Sequence, residues 1–287
     1  MVRQPGGLGK PAIRYLSSVA ISVSRLSVTP VKGLALAHPD QVTLTSIGVP
    51  ENRLFFMVDS SGAMVSADRF GPMQRIRANF DPARDVLGLT FPDGSLADGH
   101  AAGAGEPVSI DFYGRLVAAH VVPGPFATAL AAHTGLDVRL VRTDQLGDGS
   151  DVHHLTLVSS ASVAALAQAA GAQSDIDSRR FRMLFELDGA AAYEEDTWDG
   201  RLLQIGEATV RVCGQVPRCV ITTQSPTTGE KDLETLKALA SSRGRMKDGT
   251  GLPFGMYAEV EEPGRVRVGD PVALVGRAGL EPATDGL

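Results

Sequence analysis

Apolar and polar residues alternate along much of this chain, with the period of two that is typical of half-buried β-strands. The alternation begins around Val23 in SVSRLSVTPVK and returns in QVTLTSI, RLFFMVD and AMVSA. Turn-forming residues separate these runs, and SSG at residues 60–62 predicts a hairpin turn. Such closely spaced short strands predict a small antiparallel barrel or sandwich. Residues 94–106, GSLADGHAAGAGE, offer little apolar surface, so we expect an exposed flexible loop there.

Helical spacing appears in three segments, PFATALAAHTGL, ASVAALAQAAG and LETLKALASSR. Ser159 or Ser160 is the expected N-cap of the second helix. In the third helix, Leu233, Leu236 and Leu239 fall on one face. Extended runs predict further strands at VRLVRTD, LTLVS, FRMLFEL, RLLQIGEATVRVC and CVITT.

The closing segment FGMYAEVEEPGRVRVGDPVAL predicts a hairpin whose turn is Glu262, Pro263 and Gly264. The polar segment 143–152 marks a boundary between an N-terminal unit, 23–142, and a C-terminal unit, 143–275. Residues 1–22 and 276–287 are predicted to be tails, the second one disordered. The fold class expected is therefore mostly β with a few helices (α+β).

Composition excludes several classes of protein. A net charge of −6 over 287 residues argues against a nucleic-acid-binding protein, since a phosphate backbone requires a broad basic face. Leu16–Val23 is too short and too rich in serine to span a membrane. Two cysteines form no disulfide framework, so we expect a reducing compartment, the cytoplasm.

Cys219 is the first candidate for chemistry, because a thiolate is a soft metal ligand and Arg218 beside it favours the thiolate form. The alternative is that Cys219 is a buried apolar residue, as most free cysteines are. Cys213, at the end of the strand VRVC, is predicted to be a packing residue. The spacing between the two cysteines matches no recognised metal site.

Four basic residues lie at predicted strand ends: Lys32, Arg53, Arg182 and Arg218. If they converge on one cleft they would bind an anion such as phosphate, whereas separately each is an ordinary surface residue.

Three other features are less specific. His153 and His154 are neighbours that would point to opposite faces of a strand, so both cannot serve one site. An acidic cluster (Glu194, Glu195, Asp196 and Asp199) is interpreted as a solvated turn rather than a cation site. Trp198 beside it is predicted to be a core anchor.

Several segments together resemble the MOSC family with its N-terminal β-barrel domain. TPVKG resembles Y-P-V-K-S, GVPENRLFFMVD resembles G-x-x-x-D-R-x-x-x-V-D, and SADRFGPM resembles T-x-R-x-x-P. RRFRM, YEEDTWDGRLLQIGE, PRCVITTQSPTTGE and PFGMYAEVEEPGRVRVGDPV then follow in the family's order. The resemblance implies an N-terminal small β-barrel-like domain joined to a MOSC β-barrel.

The resemblance also implies roles for individual residues. Cys219 would ligate molybdenum, and Lys32 and Arg53 would bind the phosphate end of a molybdopterin. The remaining cofactor-binding residues implied are Gly33, Arg182, Pro217, Arg218 and Tyr257.

The chain departs from the family pattern at four places. Gly33 replaces a serine, which removes a side-chain phosphate contact that a backbone N–H could replace. Met183 and Leu184 replace proline and asparagine, removing an amide from the expected pocket. Asn52 replaces an aspartate and Thr29 an aromatic residue.

By resemblance, the expected function is a molybdenum-cofactor oxidoreductase that reduces small N-hydroxylated compounds. No flavin motif or iron–sulfur cysteines occur, so electrons would come from a separate ferredoxin- or flavoprotein-type partner. Pyridoxal phosphate is not expected in this chain. The alternative is a non-catalytic molybdenum-cofactor or sulfur carrier protein.

Overall fold

The computed structural model describes residues 20–102, 105–173 and 175–275. The predicted tails, except residues 20–22, lie outside the described residues. The described chain is mostly β with three α-helices, which confirms the predicted fold class.

The strands of the N-terminal half run from residue 22 to residue 143. They are β1 Ser22–Leu26, β2 Gln41–Leu44, β3 Phe55–Asp59, β4 Met64–Val65, β5 Arg77–Asp81, β6 Val86–Thr90, β7 Leu96–His100, β8 Pro107–Phe112, β9 Arg115–Val121 and β10 Val138–Thr143.

The C-terminal strands and the three helices complete the fold. They are β11 Leu155–Ser159, β12 Phe185–Asp188, β13 Leu202–Ile205, β14 Ala208–Arg218, β15 Leu252–Glu262, β16 Gly264–Arg267, β17 Val272–Leu274, α1 Phe126–Thr134, α2 Ser160–Ala169 and α3 Thr235–Ser242. Short 3-10 helices lie at Gly71–Arg75, Ser178–Phe181, Glu194–Trp198 and Val220–Thr223.

The N-terminal sheets have the orders β4-β3-β10-β9-β8 and β5-β6-β7. Phe55 and Met57 on β3 face the core between the sheets and α1, while Phe56 and Val58 pack on the opposite face with Phe112. Both faces of β3 are therefore buried, which explains its nearly continuous apolar sequence. The predicted hairpin at residues 60–62 is confirmed, because β3 pairs with β4 across it.

The prediction of a flexible loop at residues 94–106 is wrong over its first half. Residues 96–100 form β7, which pairs with β6 along its whole length. Ala97 and Ala101 are buried, and a side chain at Gly99 would contact Phe126 of α1. The segment is therefore a paired strand with two buried alanines, and Gly99 faces α1.

The C-terminal strands form a seven-stranded sheet in the order β1-β12-β11-β15-β14-β13-β17. A bridge between Ser22 and Pro271 joins its two ends, so the sheet closes into a barrel. The barrel encloses apolar side chains that include Leu157, Met256 and Trp198, and Trp198 is thus the core anchor predicted from the sequence. The division of the chain at residue 142 stays a prediction, since β1 and β2 both pair with C-terminal strands.

Three further predictions in the C-terminal half are wrong. CVITT is a 3-10 helix rather than a strand, and the strand in FRMLFEL begins only at Phe185. The predicted terminal hairpin is also absent, because β16 pairs with β2 instead of β15. At Gly264 the chain passes so close to Glu207 that an added Cβ would lie 2.4 Å from the Glu207 backbone. Two residues later, Val266 packs against the barrel core.

The helices α2 and α3 cover the outside of the barrel. Ser159 caps α2, since its hydroxyl accepts a hydrogen bond from Ser162 N at 3.1 Å, as predicted. Leu239 of α3 is buried and Leu236 packs beside it. Leu233 precedes the helix, which begins at Thr235.

Candidate functional site

Cys219 lies at the end of β14, and its side chain is exposed. Its backbone carbonyl accepts hydrogen bonds from the backbone and the hydroxyl of Thr222, which fixes the start of the following 3-10 helix. A buried packing role for this cysteine is therefore excluded.

All eight residues predicted for the site line one cavity of about 350 Å³ between the N-terminal sheets and the barrel. They are Lys32, Gly33, Arg53, Arg182, Pro217, Arg218, Cys219 and Tyr257. The four basic side chains thus converge, as an anion site requires. The role of each residue stays a prediction.

Lys32 and Arg53 share the carboxylate of Asp151. Lys32 Nζ bonds to Asp151 Oδ1, and Arg53 Nη1 lies 3.3 Å from Asp151 Oδ2. The segment TPVKG carries Lys32 from the barrel to the N-terminal sheet, where Lys32 N donates to Phe55 O at 2.8 Å. Arg53 has a left-handed backbone, with φ of 59°, held by a bond from its N to Thr29 O at 2.7 Å.

Burial lowers the pKa of Lys32 to about 8, although Asp151 opposes this effect. Burial would raise the pKa of Asp151, but the charges of Lys32 and Arg53 outweigh it and hold that pKa at about 2. At neutral pH Lys32 and Asp151 are therefore both charged, and Lys32 is the one whose pKa lies closer to neutrality.

Arg182 and Arg218 approach from the barrel side. Arg182 Nη2 donates to Leu34 O at 2.7 Å, and Arg218 Nη2 donates to Phe181 O. Burial lowers the pKa of Arg182 to about 9 and that of Arg218 to about 10. Arg218 Nε is buried without a hydrogen-bond partner, so a donor is available to a bound group.

The other predicted residues shape the cavity wall. Gly33 has a φ of 87°, and a Cβ there would lie 3.3 Å from Ala67 N. Tyr257 is buried, and burial raises the pKa of its hydroxyl to about 12. Pro217 is exposed beside Cys219.

Sequence reasoning missed several residues of the wall. Asp151 lies in the polar segment 143–152, which the sequence predicts only to be a boundary between the two units. The residue belongs to no recognised motif. Tyr113 reaches the cavity from the β8–β9 turn, where its φ is 56°. Of the two residues that replace the family's proline and asparagine, Met183 lines the cavity, whereas Leu184 packs in the barrel core.

The remaining candidates lie elsewhere. Glu195 is buried and accepts from Ser159 N at 3.2 Å, and Asp196 pairs with Arg243, so the acidic cluster has structural roles. Cys213 is half-buried, and burial raises the pKa of its thiol to about 11. His153 bonds to Glu259 outside the cavity. Within the described ranges, no helix is both long enough and apolar enough to cross a membrane.

Two family models match this chain in succession. The model of the MOSC N-terminal beta barrel domain matches residues 20–110, and that of the MOSC domain matches residues 144–273. Among solved structures, the YuaD protein from Bacillus subtilis aligns over 88% of this chain and 94% of its own, with 12% identity and a TM-score of 0.42.

Curated relatives match shorter segments. Mitochondrial amidoxime reducing component 2 from Rattus norvegicus is 40% identical over 106 residues, 35% of this chain and 31% of the relative. Mitochondrial amidoxime-reducing component 1 from Homo sapiens is 34% identical over 134 residues, 45% of this chain and 39% of the relative. The matches span about a third of these relatives' length. Both halves of the described fold nevertheless have a family match, and the chain belongs to the MOSC family with its N-terminal beta barrel domain.

Proposed function

We propose that this protein is a molybdenum-cofactor oxidoreductase that reduces small N-hydroxylated compounds with electrons from a separate ferredoxin- or flavoprotein-type partner. The observation that carries the proposal is an exposed thiol, Cys219, on the same cavity as four basic side chains. The names of the curated relatives suggest the substrate class. The free cysteines favour a reducing compartment, and we assign the protein to the cytoplasm.

The donor set fits a molybdopterin. Four cationic side chains and two carboxylates line the cavity, so its charge favours an anionic ligand. The cations are Lys32, Arg53, Arg182 and Arg218, and the carboxylates belong to Asp68 and Asp151. The unpartnered Nε of Arg218 supplies a buried donor, and a thiolate is a soft ligand suited to molybdenum.

In this proposal the phosphate end of the cofactor lies against Lys32 and Arg53, with the backbone N–H of Gly33 as a further donor. Arg182 and Arg218 bind the polar groups of the pterin, and Tyr257 contacts it.

Cys219 holds the metal. When bound, the cofactor supplies the two-electron chemistry, while the protein orients it and sets its electrostatic surroundings. The N-hydroxyl group takes up two electrons and two protons, its N–O bond breaks, and water leaves.

The test is to replace Cys219 with alanine and measure molybdenum content together with reduction of an amidoxime by a chemically reduced viologen dye. Both should be lost, while the unfolding free energy of the apo protein changes by less than about 0.5 kcal/mol, because the side chain is exposed. Cys213→Ala is the matched control and should retain bound molybdenum and turnover. An active Cys219→Ala variant with bound molybdenum would refute the assignment. Molybdenum without turnover in the unmodified protein would instead identify a carrier.

A further inference from the structure

Three metal-binding side-chain types meet on the outside of the barrel, apart from the cavity. His153, Cys213 and Glu259 each place one ligand atom within 4.8 Å of the others. His153 Nδ1 already lies 2.8 Å from Glu259 Oε1. The three residues come from distant parts of the sequence, so the fold alone brings them together.

The pairing of β14 with β15 explains two of the positions. Val212 opposes Ala258, and both side chains are buried in the barrel core. Because side chains alternate along a strand, the next residues, Cys213 and Glu259, face outward. The register shifts after Val212, which marks a β-bulge at Cys213. A β-bulge commonly changes the direction in which a side chain points.

The third residue comes from the segment that joins the two halves of the chain. His153 precedes β11, and its ring packs against Tyr257 with centroids 5.2 Å apart. Asp151, two residues earlier, is the carboxylate that Lys32 and Arg53 share. A contact or bound ion that fixes His153 to the barrel therefore also helps to fix Asp151 in the cavity wall.

The chemistry of the three donors favours a borderline-soft divalent ion. An imidazole nitrogen, a thiolate and a carboxylate oxygen are the donors that zinc uses in proteins. Ligand atoms around one zinc ion are about 3–4 Å apart, given bond lengths of about 2.0–2.3 Å. The side chain of Glu259 is 55% exposed and that of His153 is 25% exposed, so the site can be reached from solvent.

We propose that His153, Cys213 and Glu259 bind one zinc-class divalent ion, and that this ion fastens the segment 144–154 to the barrel. Binding replaces the thiol proton of Cys213 with the metal and releases that proton to solvent. The fourth coordination position is left to water. The proposal does not depend on the activity assigned to the cavity.

Cobalt(II) bound to the tag-free chain tests the proposal. A Cys219→Ser background removes the cavity thiol, so a sulfur-to-cobalt charge-transfer band in the near ultraviolet must come from Cys213. We expect the band to saturate at one ion per chain and to disappear when zinc is added in competition. It should be absent from the Cys213→Ser, Cys219→Ser double variant.

The other two ligands are tested by affinity in the same background. His153→Ala and Glu259→Gln should each weaken cobalt binding at least about tenfold. Even the loss of a residue that only hydrogen-bonds to a metal ligand typically lowers metal affinity by about tenfold or more. Glu261→Gln is the matched control, because Glu261 lies on the same strand but pairs with Arg211. Its affinity should stay at the background level. Zinc should also raise the melting temperature of the Cys219→Ser protein and not that of the double variant.

Two results would overturn the proposal. Absence of the charge-transfer band in the Cys219→Ser protein would mean that the cluster is only a His–Glu hydrogen bond beside a thiol. Persistence of the near-ultraviolet absorption in the double variant, which has no thiol, would show that the absorption does not arise from a bound Cys213.

Discussion

Arg180 is a buried cation that holds the segment following Cys219. Its Nη1 donates to Thr222 O at 3.0 Å and to Gln224 O at 3.1 Å, and its guanidinium pairs with Asp232 at 3.1 and 3.3 Å. Only 4% of the residue is exposed. Arg180 therefore ties three points of one segment to the 3-10 helix Ser178–Phe181.

Replacing Arg180 with methionine keeps most of the apolar stem and removes the donors. Each buried carbonyl that loses its donor costs about 1–3 kcal/mol, so Thr222 and Gln224 together account for about 2–6 kcal/mol. Asp232 adds little, because its side chain is 44% exposed and recovers water. We expect the free energy of unfolding to fall by about 2–6 kcal/mol on these grounds.

Urea unfolding measures this loss as a lower midpoint at an unchanged slope. Arg179→Met is the matched control, since the Arg179 side chain is 36% exposed and pairs with Asp177 at the surface. It should cost less than about 1 kcal/mol. The loosened segment should also let an alkylating reagent modify Cys219 faster in Arg180→Met. Equal midpoints for the two variants would refute the reasoning, because they would show that the buried contacts add no stability.

Three more predictions follow from the cavity and the barrel. Pyrophosphate binding should weaken as the pH rises through about 8, because Lys32 is protonated below its pKa and neutral above it. Calorimetry should show this step, a drop in affinity near pH 8, in the unmodified protein and not in Lys32→Met. In Asp151→Asn the same step should move to lower pH, since the carboxylate that raises the pKa of Lys32 is gone; an unmoved step contradicts this. Gly255→Ala should destabilise the protein more than Gly249→Ala in thermal unfolding: both have a φ of 75°, but only at Gly255 would a Cβ meet backbone, 2.8 Å from Leu157 O, in addition to the movable Met183 Cε. Equal losses would show that the clash relaxes freely.

Local pattern was enough to predict most elements but not which strands pair. The cap at Ser159 and the alternation in β2 depend on neighbouring residues, so the sequence displays them directly. The partners of β1 and β2 lie far along the chain, and alternation alone carries no information about them. The wrong prediction of a loop at residues 94–106 also concerns strand pairing that the sequence pattern does not show. The strand β7 is held by backbone hydrogen bonds to β6, and these do not require large side chains.

By itself, the sequence determined the family, the kinds of side chain at the site and the single thiol beside Arg218. Only the tertiary structure decided that Lys32, Arg53, Arg182 and Arg218 meet at one cavity, and that Asp151 shares its charge with two of them. It also decided that His153, Cys213 and Glu259 meet outside the barrel. The physical reason is that motifs specify residues a few positions apart, whereas a charge pair or a metal site depends on distances of a few ångströms between segments that only long-range strand pairing brings together.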